Sequence, residues 1–242
     1  MPMFPFSWVI IESPSVESPL GRTSTHNEIL PTVPLPCTAE FEKLSPEDWR
    51  RMLNVHLDGS FHLSQTAFRV MKSRGYGRFV FIASSAGLFG QPQSAHYAAA
   101  KAGIVGLANV VAIEGAAHGI LANSVLPFGH SRMVTETVGG EQVAAQSSFL
   151  RAIDAKLVVP IVVFLASRAC EFTHHSYSAG AGRYARVFIG LGTGWLSDPG
   201  SEPSAEDVAA HLSEVSATEP FSIPASIFDE VAGICARLGI TG

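Results

Sequence analysis

The spacing of apolar positions changes several times along this chain, and each change marks an element. Arg78 to Ala83 is a continuous apolar, β-branched and aromatic run of strand length, and Ile120 to Leu126 is a second. Ahead of the first run, Trp49, Met52, Leu53, Val55 and Leu57 open a helical pattern that continues to Arg74, where Gly75 and Gly77 end it. Its start is marked by Ser45 as cap, Pro46 at the first helical position, and Glu47 and Asp48 in the first turn. Between the two strands the pattern predicts a helix from Ser94 to Ala117, stopped by His118 and Gly119. Further on, Asp154 introduces an apolar helix from Leu157 to Ala166. Ser176 to Ala179 and Val187 to Ile189 read as short strands around Gly180, Ala181 and Gly182. Strands alternating with helices predict an α/β fold, a parallel sheet with helices on both faces.

Two segments fall outside this alternation. Seven of the fifteen prolines lie before residue 37, and Gly21 is the only glycine before Gly59. Ser7 to Glu12 can form one short strand; the rest of residues 1–40 reads as irregular. Beyond Trp195, a Pro-, Ser- and acid-rich linker leads to helices from Ala205 to Val215 and from Pro224 to Leu238. In the second of these, Ile227, Phe228, Val231, Ile234, Cys235 and Leu238 recur at helical spacing. The expected organisation is therefore residues 1–40, 41–197 and 198–242.

Composition narrows the function classes. With 242 residues, 47% apolar and 15% charged, the chain can bury a full core, and a net charge of −5 points to neither nucleic acid nor a charged surface as partner. Cys37, Cys170 and Cys235 are too far apart for a metal cluster and fit a reduced, cytoplasmic setting. No apolar run reads as a membrane span, and the proline-containing N-terminus lacks the basic start of a signal peptide.

Candidate chemistry sits on the Arg78 strand and the helix after it. Tyr97 and Lys101, four residues apart, share one helical face. Ionising a tyrosine at neutral pH costs roughly 4 kcal/mol, and an ammonium held one turn away favours the phenolate. Ser84 falls where the strand ends, the place from which side chains reach the crevice at the carboxyl end of a parallel sheet. Packing alone accounts for many Tyr-x-x-x-Lys pairs, with the lysine stem lying along a half-buried ring.

The wider context carries more weight. Ser84-Ser85-Ala86-Gly87, Tyr97-Ala98-Ala99-Ala100-Lys101-Ala102-Gly103 and Asn123-Ser124-Val125-Leu126-Pro127, with the intervals between them, resemble the short-chain dehydrogenase/reductase family of Rossmann-fold oxidoreductases. Asn54 to Phe61, Ile113-Glu114-Gly115, Ser131-Arg132-Met133 and the tail after Pro203 are most similar to its hydroxyacyl-CoA dehydrogenase domains. The resemblance implies a partial Rossmann-like sheet and oxidoreduction of a secondary alcohol or ketone, plausibly a 3-hydroxyacyl-CoA, with NAD or NADP. It implies Tyr97 as general acid/base, Lys101 as the charge beside it and a ligand of the nicotinamide ribose, and Ser84 as the group that orients the substrate oxygen. His56 stands where the family usually has a relay asparagine. Histidine also both donates and accepts, so a relay is retained in principle. Pro127, Phe128 and Gly129 match the segment beside the nicotinamide. The helices Pro46–Arg74 and Ser94–Ala117 match the family's subunit interface, which implies a homo-oligomer.

One part of the family pattern is missing from the sequence. A dinucleotide site needs a Gly-rich turn between a strand and a helix, so that backbone amides approach the pyrophosphate. Residues 1–40 hold no such turn, and Gly190-Leu191-Gly192-Thr193-Gly194 is followed by Trp195 and a linker where a helix is required, so it reads as a flexible turn. The expectation is the C-terminal part of a short-chain dehydrogenase domain, truncated at its cofactor side. The alternative is an inactive family member that serves only in oligomerisation. Ser7 to Glu12 is expected to cover the sheet edge that truncation would expose.

Overall fold

A computed structural model describes residues 9–12, 38–129 and 147–240, so most of the polar stretch after Gly129, Cys37 and the Ser131-Arg132-Met133 match lie outside the described residues. The chain forms two units, Met1–Val187 and Phe188–Gly242.

The first unit is built on a five-stranded sheet in chain order, β1 (Val9–Glu12), β2 (Gly77–Ile82), β3 (Ile120–Pro127), β4 (Ser176–Gly180) and β5 (Arg183–Val187). The three central strands are parallel, and β1 and β5 flank them antiparallel. The expected strand at the N-terminus is thus present beside β2, with Val9 opposite Phe81 and Glu12 opposite Arg78. Strand alternation divides the core. Phe79, Phe81, Ala122 and Leu126 face one side, against Ile104, Ala108 and Ala112 of α4 (Ala95–Gly115). Val80 and Val125 face the other, against Leu165 of α6 (Val159–Ala166), which follows the short α5 (Ser148–Ala152). Each fully buried Phe contributes about 1.5–3 kcal/mol, so the two phenylalanines of β2 hold α4 on the sheet.

The helix expected over Pro46–Arg74 is continuous but changes pitch. It runs as α1 (Pro46–Leu53), a five-residue π turn over Asn54–Asp58, and α2 (Gly59–Arg74). Ser45 caps it, its hydroxyl accepting from Asp48 N at 3.0 Å. Met52, His56, Ser60 and Ser64 are buried at intervals of four, which run ahead of the 3.6-residue period, and the wider π turn takes up the difference.

Several expectations are corrected. The second strand of the C-terminal hairpin is Arg183–Val187, not Val187–Ile189. Ala181 and Gly182, at φ 52° and 77°, form a two-residue turn whose backbone twist fits tightly paired strands. The Gly190–Gly194 segment is not a flexible turn, because Leu191 and Gly192 form β6, paired antiparallel with β7 (Phe221–Ser222). One apolar helix, Ala95–His118, does reach spanning length among the described residues, but Ala100, Ile104, Ala108 and Ala112 are buried in the core.

The second unit has no buried core among its described residues. It contains β6, β7, α7 (Ala205–Ala210), α8 (Leu212–Val215) and α9 (Ile227–Leu238), and none of its described residues is buried. Local devices organise it: a capping box between Ser204 and Asp207, and two stacked ring pairs, Trp195 on His211 at 4.2 Å and Phe188 on Phe221 at 5.7 Å. The single helix expected over Ala205–Val215 breaks at His211, the residue between α7 and α8.

Candidate active site

At the carboxyl end of β2 the chain turns directly into a short helix, α3 (Ser85–Phe89), and Ser84 is its cap. Ser84 is extended, at φ −160° and ψ 147°, and its hydroxyl accepts from Ala86 N at 3.2 Å. That bond occupies one lone pair and leaves the O–H proton available as a donor.

Tyr97 and Lys101 lie in the first two turns of α4. Lys101 is 3% exposed, and its Nζ donates to the Ile82 carbonyl at 2.9 Å, two residues before Ser84. The same Nζ is 5.5 Å from the centre of the Tyr97 ring. Burial lowers the Lys101 pKa from 10.5 to about 8, so the ammonium persists at neutral pH only by a narrow margin.

His56 closes the group from the π turn. Its ring meets that of Tyr97 edge-on, with centroids 5.6 Å apart and planes at 88°. It is 7% exposed, and its pKa falls from 6.5 to about 4, first through burial, then through the Lys101 and His96 charges. His56 is therefore neutral through the physiological range and can both donate and accept a proton. A consequence for stability follows from the direction of this shift. Between pH 6.5 and 4 the unfolded chain takes up a proton on His56 that the folded chain refuses. The stability attached to neutral His56 is complete above pH 6.5 and is lost as pH falls towards 4, a change of about 3 kcal/mol. Urea unfolding at pH 7 and pH 4.5 is expected to show a smaller loss in His56→Gln than in the wild type, and equal losses would refute this account.

Pro127, Phe128 and Gly129 lie one strand over, where β3 ends on the same side of the sheet. Phe128 N donates to the Ala179 carbonyl at 2.7 Å. The fit there is tight: a Cβ on Gly180 would stand 2.5 Å from Phe128 Cβ, and one on Gly129 would stand 3.3 Å from Ala155 Cβ. The fold thus brings Tyr97, Lys101 and His56 into one cluster, with Ser84 at the adjoining strand end and Pro127–Gly129 on the neighbouring strand.

Two participants escape a sequence reading. His96, 1% exposed, is one of the charges that lower the His56 pKa, and no local pattern singles it out. Gly87 stands in the matched stretch Ser84–Gly87, but its close packing is not readable there: a Cβ would lie 2.6 Å from Ala102 N and 2.8 Å from the Lys101 carbonyl carbon. Asn123 and Ser124, by contrast, are structural. Asn123 donates to Phe172 O at 2.8 Å and accepts from His175 N, while the hydroxyls of Ser124 and Ser176 meet at 2.6 Å.

The cluster can move a proton between the hydroxyl of the half-buried Tyr97 ring and its surroundings. Its cation, Lys101, also suits the ribose side of a nicotinamide nucleotide. The pyrophosphate side is different. Among the described residues no strand passes through a Gly-rich turn into a helix: β2 enters α3 through Ser84, with Gly87 packed on α4, and Gly192 is in β6. The nicotinamide side of such a nucleotide would fit the described residues, among which no turn for its phosphates is formed.

Residues 32–141 match the family model described as short chain dehydrogenase. Over 175 residues the chain is 35% identical to a short-chain type dehydrogenase/reductase of Mycobacterium tuberculosis, an alignment that covers 72% of this chain and 58% of the relative. It is 38% identical over 151 residues to an acetoacetyl-CoA reductase of Rhizobium meliloti, covering 60% of this chain and 63% of that protein. Among solved structures, full-length peroxisomal multifunctional enzyme type 2 from Drosophila melanogaster superposes with a TM-score of 0.73 at 29% identity, covering 84% of this chain and 36% of the other. The chain spans less than two thirds of the length of each of these three.

Proposed function

Because this chain belongs to the short-chain dehydrogenase family, we propose that its Ser84–Tyr97–Lys101–His56 group handles the proton in the interconversion of a secondary alcohol and a ketone. The observation that carries this is the buried ammonium of Lys101 beside the Tyr97 ring. An ammonium held beside the ring favours the phenolate, whose formation at pH 7 otherwise costs roughly 4 kcal/mol.

In the oxidative direction Tyr97 takes the hydroxyl proton of the alcohol, while the Ser84 O–H orients the same oxygen. His56, neutral and edge-on to Tyr97, passes the proton onwards. Tyr97, Lys101 and Pro127–Gly129 are the residues that would hold the nicotinamide side of NAD or NADP, which would supply the hydride acceptor. A 3-hydroxyacyl thioester is the substrate class favoured here, since one relative's name specifies acetoacetyl-CoA. A homo-oligomer through α1, α2 and α4 belongs to the same reading, supported by the exposed Phe61, Leu63, Val70, Val110 and Ile113. So does a cytoplasmic setting, supported by the widely separated cysteines.

That no phosphate turn is formed among the described residues favours a second reading, a non-catalytic partner that only associates through those helices. Nicotinamide-fluorescence titration separates the two. Micromolar binding of NADH or NADPH, with oxidation of the nucleotide on adding acetoacetyl-CoA, is the expected result. No binding at millimolar nucleotide would leave only the second reading.

A further inference from the structure

The short helix α3 stands between two members of the proposed site. It is capped by Ser84 and packs on α4 at Lys101 and Ala102. The Ser84 hydroxyl is tied to this helix through Ala86 N, so wherever α3 sits, that hydroxyl goes with it. On the other side, Lys101 reaches back to the Ile82 carbonyl. Strand end, Ser84, α3, α4 and Lys101 therefore form a closed ring of contacts, and its tightest point is Gly87. A Cβ at Gly87 would lie 2.6 Å from Ala102 N, 2.8 Å from the Lys101 carbonyl carbon and 3.0 Å from Lys101 Cβ. The first two are helix backbone, which cannot swing aside as a flexible side chain can.

We propose that Gly87 is a positioning residue: its missing side chain lets α3 close on the α4 backbone at Lys101 and Ala102, and this closure sets where the Ser84 hydroxyl stands relative to Lys101 and Tyr97. The inference rests on the catalytic reading of those three residues, but its geometry is independent of any cofactor. Restoring ordinary contact at Ala102 N requires α3 to lift by roughly an ångström, a misplacement that can cost on the order of 100-fold when it falls between reacting groups. The same lift admits water to Lys101, whose lowered pKa comes from burial.

The test reads Lys101 directly in the protein free of nucleotide and substrate. Lysine labelled with 13C at Cε gives its titration by NMR, with the resonance assigned from Lys101→Met. Gly87→Ala is expected to move the Lys101 midpoint from about 8 towards 10.5. Gly106→Ala is the control on the same helix, since a Cβ at Gly106 meets nothing within 4 Å, and it is expected to leave the midpoint in place. Should Gly87→Ala fail to fold, Leu88→Ala loosens α3 from the core without overpacking, and the midpoint is expected to shift in the same direction. An unchanged midpoint in the folded Gly87→Ala protein, or in Leu88→Ala where that variant is needed, overturns the proposal. Turnover is then a separate readout. If wild type turns over acetoacetyl-CoA, Gly87→Ala is expected to lower kcat about 100-fold, and to lower it little further in a Ser84→Ala background. An inactive wild type with a shifted midpoint would sink the catalytic reading and leave the positioning geometry standing.

Discussion

A Lys101→Met protein is expected to unfold at a higher temperature than the wild type while losing about three orders of magnitude in turnover. The two effects have one cause. Lys101 is almost fully buried, and the lowering of its pKa from 10.5 to about 8 corresponds to about 3 kcal/mol of unfavourable burial of its charge. Methionine fills a similar volume without that charge. The bond from Nζ to the Ile82 carbonyl is lost in exchange, which costs about 1 kcal/mol or somewhat more. The net gain is about 1–2 kcal/mol, or roughly 3–6 °C for a unit of this size. Its pH dependence has a definite sign. Below about pH 8 the folded chain carries the buried ammonium, and the advantage of Lys101→Met is complete. Between pH 8 and 10.5 the folded wild type sheds that proton while its unfolded chain keeps it, so wild-type stability rises and the gap closes. Thermal unfolding of both proteins at pH 7 and pH 10 measures this directly. A variant less stable than wild type at pH 7 would mean that the Lys101 contacts outweigh its desolvation. A stable variant with full turnover would remove Lys101 from the chemistry.

Tyr97→Phe is the second large effect, and it separates function from packing. The change deletes one hydroxyl and keeps the ring that meets His56 edge-on and lies beside Lys101. Stability should therefore change by less than about 1 kcal/mol. If Tyr97 is the general acid/base, the reduction of acetoacetyl-CoA should fall by about 10³-fold, in the upper part of the range for a positioned proton-transfer group. The loss should fall mainly on kcat, because the hydroxyl acts as the proton moves. Combining Tyr97→Phe with Lys101→Met should cost little more than either change alone, since each disables the same proton transfer. Retention of turnover within a few-fold would return Tyr97 to the bland reading, a half-buried ring with a lysine stem along it.

Much of the framework was legible in the chain because the signals are local. The apolar run of β2, the Ser45-Pro46 start of α1 and the stop at Gly119 depend only on residues near them in sequence. Even the short N-terminal strand was readable from its apolar run, though not its antiparallel direction, since direction depends on how the intervening chain returns. The errors were also local readings overtaken by distant partners. Leu191 and Gly192 read as a turn until Phe221 and Ser222 pair with them. The Ala95–His118 helix is apolar enough for a bilayer, and the sheet takes up that surface instead. The π turn at Asn54–Asp58 has no composition of its own, because it is the helix's response to burying positions four apart.

The sequence by itself determined that Tyr97 and Lys101 share one helical face and that Ser84 ends a buried strand. These follow from a 3.6-residue period and from strand length, which act over a turn or two of chain. Tertiary structure alone decided that His56 meets Tyr97 edge-on, that Lys101 loses enough solvent to titrate near 8, and that Gly87 is where α3 and α4 touch. Each of these is a property of segments far apart in the chain, brought together by packing on a common sheet. Desolvation and close approach belong to that packed neighbourhood, and no single stretch of residues encodes them.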